Sequence, residues 1–153
     1  SYLGRTILPK FFIMNILFLC VGNSARSQIA EGLAKEMFSE KFHIKSAGSN
    51  PSGYIHDGAI KTMNEIGIDI SEYSSKSIND LDDQFIKNLD FVITLCAEEV
   101  CPILPHEAKL IKWPTEDPVN SNFCKIENKI VFRKTRENIY QLLKKFMIDN
   151  FKA

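Results

Sequence analysis

Cys20 and Arg26 stand six positions apart in the run Cys20-Val21-Gly22-Asn23-Ser24-Ala25-Arg26-Ser27. An ionised cysteine is a strong nucleophile, and a guanidinium is a planar fork that matches two oxygens of a tetrahedral oxyanion. Gly22 and Asn23 tolerate positive φ, so the chain can turn sharply between them and bring successive backbone N–H groups into one concavity. A helix starting near Ser27 would add its positive dipole end to the same place. That field favours a thiolate: cysteines at helix N-termini reach a pKa of about 3.5–7.5, against about 8.5 when free. Ser24 or Ser27 is placed to donate a hydrogen bond to the sulfur. The predicted oxyanion cradle is therefore Val21, Gly22, Asn23, Ser24, Ala25, Arg26 and Ser27, with Cys20 as the attacking atom.

Attack on a tetrahedral oxyanion expels an oxygen, which must be protonated. The downstream run Trp113-Pro114-Thr115-Glu116-Asp117-Pro118 offers a carboxylic acid for that step. Asp117 is held extended by the proline after it, and Glu116 is the nearest competitor. His43, His56 and His106 show no ligand spacing with the cysteines, so no metal site is expected, and each histidine is read as surface or capping. Cys124 is read as structural.

The elements needed to position these groups are legible in the periodicity. An apolar run at 15–20 reads as a buried first strand ending at the cradle. The segment 27–39 reads as a helix with Ile29, Leu33, Met37 and Phe38 inward and Glu31, Lys35 and Glu36 outward. A second strand is expected at 42–47, a helix at 57–66 closed by Gly67, and a helix at 77–87 capped by Ser77. Strands at 91–95 and 110–113 follow, and a long amphipathic helix at 128–151 carries Ile130, Val131, Ile139, Leu142, Leu143 and Phe146. Strands alternating with helices imply an α/β domain with a parallel sheet covered on both faces. Residues 1–13 read as an added or disordered extension, and 14–153 as one domain.

Composition narrows the function classes. Lysine plus arginine equal aspartate plus glutamate, 19 against 19, which gives no bulk argument for nucleic acid or an anionic membrane. The charge is uneven, with eight basic and three acidic residues over 123–153, as expected of a solvated helix face. No apolar run reaches the roughly 20 residues that span a bilayer, and no export signal is evident. The expected setting is the cytoplasm, where cysteines are more often catalytic or redox-active than structural staples.

The cradle after strand one, with Asp-Pro near the end, resembles the low-molecular-weight protein tyrosine phosphatases over nearly all of 14–153. Within that superfamily the chain is similar to the thioredoxin-coupled arsenate reductases. The likeness rests on Gly22-Asn23-Ser24-Ala25-Arg26-Ser27-Gln28, on Ser46-Ala47-Gly48, and on Thr94-Leu95-Cys96 followed by Cys101-Pro102-Ile103-Leu104-Pro105. The resemblance implies a four-stranded sheet in the order 2-1-3-4, low-molecular-weight phosphatase-like, with the site at the carboxyl ends of strands one and three. It implies catalytic Cys20, Arg26, Cys96, Cys101 and Asp117, with arsenate as substrate, thioredoxin as reductant and a monomer. In that scheme Cys20 forms an adduct with arsenate, Cys96 attacks Cys20, and Cys101 attacks Cys96.

The chain also departs from its relatives. The spacing from Cys96 to Cys101 is shorter than in the best-known branch, and Ala25 stands where relatives often carry another cysteine. Some relatives bind potassium through positions matching Asn23, Glu31, Ser46 and the 74–76 region. Here Lys76 stands in place of an aspartate, so no potassium requirement and no other cofactor are expected. A phosphotyrosine or small-ester phosphatase is the rival enzyme, although Val119-Asn120-Ser121 follows Asp-Pro where that branch usually has tyrosines. A non-enzymatic oxyanion sensor is the third possibility, without a recognisable DNA-binding helix pair.

Overall fold

A computed structural model describes residues 13–97 and 107–151. Cys101 and nearly all of the N-terminal extension lie outside the described residues. Four strands form one parallel sheet: β1 (Met14–Cys20), β2 (Phe42–Gly48), β3 (Leu89–Thr94) and β4 (Lys109–Lys112). Their order is β2-β1-β3-β4, as the resemblance implied. The helices are α1 (Arg26–Met37), α2 (Asp57–Asn64), α3 (Asp83–Lys87) and α4 (Lys125–Phe151).

β1 is central and buried on both faces, which is why it reads as a continuous apolar run. Ile16, Phe18 and Cys20 point into a core shared with Ile29 and Leu33 of α1, Met63 of α2, and Ile139, Leu143 and Phe146 of α4. Leu17 and Leu19 point the other way, against Leu81, Phe85, Leu89 and Val92. Full burial of one such aliphatic side chain contributes about 1.5–3 kcal/mol. The two-sided core thus fixes the height at which β1 delivers Cys20.

Four expectations need correction. The helix expected at 77–87 is two pieces. Ile78–Asp80 forms a 3-10 turn with a Ser77/Asp80 capping box, Leu81 is extended, and Asp82 accepts from the Phe85 N–H to start α3. Leu81 leaves the helical path to bury itself under β1. On α1, Glu31 is not outward but 5% exposed. On α4, Ile130 is 58% exposed, and the inward stripe is Phe132, Thr135, Arg136, Ile139, Leu143 and Phe146. The helix also begins earlier than expected, because Glu127 folds back to accept the Cys124 N–H at 3.0 Å.

Gly67 takes φ +79 after α2, and the Ile68 N–H reaches the Met63 carbonyl at 3.0 Å, the left-handed ending that a glycine permits. His56 caps the start of α2 through Nδ1, which accepts the Gly58 N–H at 3.0 Å. Of the two readings given for the histidines, surface or capping, His56 takes the second. Arg136 donates to the Thr62 carbonyl at 2.7 Å and to Glu65 at 2.9 Å, tying α4 to the end of α2.

Candidate active site

β1 ends at Cys20, which is 2% exposed, and α1 begins six residues later at Arg26. Asn23 alone among the non-glycine described residues takes positive φ, at +47°; Gly22 does not use that freedom. The turn is closed from outside by the chain after β2. The Asn50 N–H donates to the Val21 carbonyl, the Ser52 N–H to Gly22 and the His56 N–H to Ser24, each at 2.9 Å. Gly48 lies so close that a Cβ there would meet the Val21 carbonyl at 2.3 Å. Any larger residue at 48 would push the cradle out of shape.

The start of α1 has no side-chain cap at Ala25 and no acidic residue in its first turn. A serine or aspartate there would occupy the first amides or repel an anion, so this helix end is arranged to receive one.

Two donors address the sulfur. The Asn23 N–H reaches Cys20 Sγ at 3.2 Å, and the Ser27 hydroxyl lies 2.9 Å from it. Asn23 Nδ2 donates to Ser27 Oγ at 2.7 Å, which leaves the Ser27 hydrogen for the sulfur. Ser27 rather than Ser24 is therefore the hydroxyl on Cys20. The network continues inward: Asn23 Nδ2 also donates to Ser46 Oγ at 3.0 Å, and Ser46 donates to Glu31 at 2.6 Å. Both contacts set a hydrogen-bond donor against the sulfur.

Glu31 is held by two ammonium groups, Lys35 at 2.6 Å and Lys76 at 4.0 Å. Lys76 Nζ also donates to the Ser74 carbonyl at 3.1 Å. Burial pushes the Lys76 ammonium below its ordinary value, while the Glu31 carboxylate opposes that shift. The lysine thus sits among the residues that the resemblance assigned to a cation. Among the described residues, no group of three or more histidines, cysteines or carboxylates could hold a metal ion.

Arg26 is 4% exposed, and its Nη1 donates to the carbonyls of Leu95 at 3.3 Å and Thr115 at 3.0 Å. Its Nη2 lies 3.8 Å from Asp117 Oδ2. Asp117 is half exposed and accepts the Val119 N–H at 3.0 Å. Glu116 instead lines a cleft of about 650 Å³ with Val131 and Lys134 of α4. The carboxylate brought to the guanidinium is Asp117.

The Leu95 N–H donates to the Leu19 carbonyl at 2.8 Å, so the residue before Cys96 is bonded both to the residue before Cys20 and to Arg26. Cys96 is 8% exposed. Cys20 and Cys124 are free thiols, and Cys124 is exposed.

Sequence reasoning missed Gln28, Lys35 and the carbonyls of Leu95 and Thr115. Ser46 and Glu31 entered only through the resemblance. A carbonyl leaves no mark in a sequence, whereas Gln28 stood in the quoted motif without a role.

Comparison with known proteins agrees with this geometry. Residues 15–152 match the family described as low molecular weight phosphotyrosine protein phosphatase. An arsenate reductase of Shouchella clausii is 42% identical over 134 residues, covering 86% of this chain and 93% of the relative. One from Bacillus subtilis is 39% identical over 133 residues, covering 86% and 93%. An arsenate reductase structure in a phosphate-binding state superposes with a TM-score of 0.72 at 32% identity, covering 90% of this chain and 98% of that one. A thioredoxin-dependent arsenate reductase of Corynebacterium glutamicum gives 0.65 at 28% identity, covering 90% and 64%. Matched over residues 15–152 and up to 42% identical to relatives covered almost end to end, the chain belongs to the low-molecular-weight phosphotyrosine protein phosphatase family.

Proposed function

We propose that this protein reduces arsenate to arsenite, with Cys20 as nucleophile and Cys96 and Cys101 as a disulfide relay reset by thioredoxin. The observation that carries the reading is the position of Cys96, directly after a residue hydrogen-bonded to both Leu19 and Arg26. A phosphatase needs only Cys20, Arg26 and Asp117. A second cysteine at this place is what a reductase adds.

In this scheme the cradle amides of Val21 to Ser27 and the Arg26 fork hold three arsenate oxygens. The Cys20 thiolate attacks arsenic, an As–O bond breaks, and Asp117 gives its proton to the departing oxygen. The Cys96 thiolate next attacks Cys20 Sγ. The S–S bond forms as the S–As pair passes to arsenic, which leaves as arsenite, two electrons reduced. The Cys101 thiolate then attacks Cys96, Cys20 departs as a thiolate, and a Cys96–Cys101 disulfide remains for the external dithiol.

The relatives named arsenate reductases and the neighbour named thioredoxin-dependent support the substrate and the reductant. None of the described helices is long and apolar enough to cross a membrane. We place the reaction in the cytoplasm, carried out by a monomer that engages neither nucleic acid nor membrane. The test is arsenate-dependent NADPH consumption with thioredoxin and its reductase, against glutathione and glutaredoxin. Turnover with the first pair alone is expected. Hydrolysis of an aryl phosphate with no arsenate-dependent oxidation would favour the phosphatase instead.

A further inference from the structure

Gln28 takes no part in the chemistry assigned above, yet it is fully enclosed in the first turn of α1. Its Nε2 donates to the Asn23 carbonyl at 3.1 Å, to Asn23 Oδ1 at 2.9 Å and to the Ser74 carbonyl at 2.9 Å. Its own Oε1 is buried with no partner. Turning the amide over would set Oε1 against three oxygens, so the neighbours fix its orientation despite the unsatisfied acceptor. An acceptor left dry in this way works against stability, which directs attention to what the donor side achieves.

Asn23 Oδ1 accepts from both Gln28 and the Lys76 N–H, the latter at 3.0 Å. Its Nδ2 must then face Ser27 and Ser46, and both of its hydrogens are used there. With the Asn23 amide reversed, Oδ1 would face Ser27 Oγ and draw the hydroxyl hydrogen to itself, and Cys20 would lose a donor. We propose that Gln28 is a positioning residue: by fixing the Asn23 amide, it directs the Ser27 hydroxyl hydrogen onto the Cys20 sulfur. The bond from Gln28 to the Asn23 carbonyl also braces the residue that carries the positive φ.

The inference rests on Cys20 being the nucleophile. Its test needs no arsenate, so it stands apart from the arsenate assay. Reduced protein is alkylated with iodoacetamide, and the rate at the Cys20 peptide is followed by mass spectrometry at pH 6 and pH 9. Gln28→Met keeps the side-chain length and removes the donor together with the orphan oxygen, so the melting temperature should move little. The pH 6 rate should fall about tenfold, because the sulfur loses a hydrogen-bond donor, and the difference should shrink at pH 9. In an Asn23→Gly background, Gln28→Met should have no further effect, because the residue through which it acts is gone. If Gln28→Met does not fold, Gln28→Leu carries the same expectation. An unchanged pH 6 rate would overturn the proposal, and so would a full tenfold loss added to that of Asn23→Gly.

Discussion

The two sides of the site are built differently. On the cradle side, Cys20, Asn23, Arg26, Ser27 and Gln28 are each at most 4% exposed; Arg26 is held by two carbonyls, and the other four are bound in one network running inward to Glu31. On the acid side, Asp117 is 48% exposed, 3.8 Å from Arg26, and held by one backbone N–H two residues on. A group that stabilises developing charge works best when its dipoles are already fixed before substrate arrives. A group that delivers a proton, or a sulfur that exchanges disulfides, needs access and room to move. In the proposed scheme the rigid half holds the oxyanion and the open half turns it over.

Cys20→Ser should abolish arsenate reduction and any side phosphatase activity, because a serine hydroxyl in this cradle is not ionised near neutral pH. Measurable wild-type turnover by this variant would remove Cys20 from the chemistry. Asp117→Asn tests the open half. Adduct formation should slow by about 10²–10⁴-fold, the usual span for a positioned general acid, as read by single-turnover kinetics. A fully active variant would pass the role to Glu116 or to water.

The inner end of the cradle network should respond to charge rather than to a bound ion. Replacing potassium by a large inert cation at constant ionic strength is expected to leave rate and melting temperature unchanged. Lys76→Asp should then create a potassium response by placing a carboxylate beside Glu31 and Ser74. Strong potassium dependence in the unmodified protein would separate Lys76 from this role.

The smallest effect belongs to the seam between α2 and α4, away from both halves. The Arg133 guanidinium, with Arg136 beside it, lowers the Glu65 carboxyl to about 2 from its ordinary 4.5. The folded value lies below the unfolded one, so this contribution is present above about pH 4.5 and is lost as pH falls toward 2. In urea titrations, Glu65→Gln should lose less stability than the unmodified protein between pH 5 and pH 3. The difference should be slight because the group is exposed. An identical pH dependence would mean that the pair is worth nothing in solution.

Much of this was legible from residue types. The strands themselves and the turn from Cys20 to Arg26 follow from patterning and turn chemistry, because a buried parallel strand and a glycine-containing turn before a helix leave strong local signals, whereas the strand order came from the resemblance. The break between Ser77 and Lys87 was harder: the run scans as one helix, and only the demand to bury Leu81 splits it. Glu31 looked solvated because a charged residue between apolar ones ordinarily faces out. Its partners, Ser46 and Lys76, come from distant parts of the chain. The clamp on Arg26 uses the carbonyls of Leu95 and Thr115, to which residue identity is blind.

The central claim is that oxidation passes from Cys20 through Cys96 to Cys101, and a single arsenate addition to Cys101→Ser tests it. One turnover should proceed and stop, with one arsenite released per protein. Peptide mapping should then find a trapped Cys20–Cys96 disulfide, whereas the unmodified protein yields Cys96–Cys101. If Cys101→Ser cycles normally with thioredoxin and no Cys20–Cys96 bond accumulates, the relay is contradicted, and an external thiol must resolve the adduct.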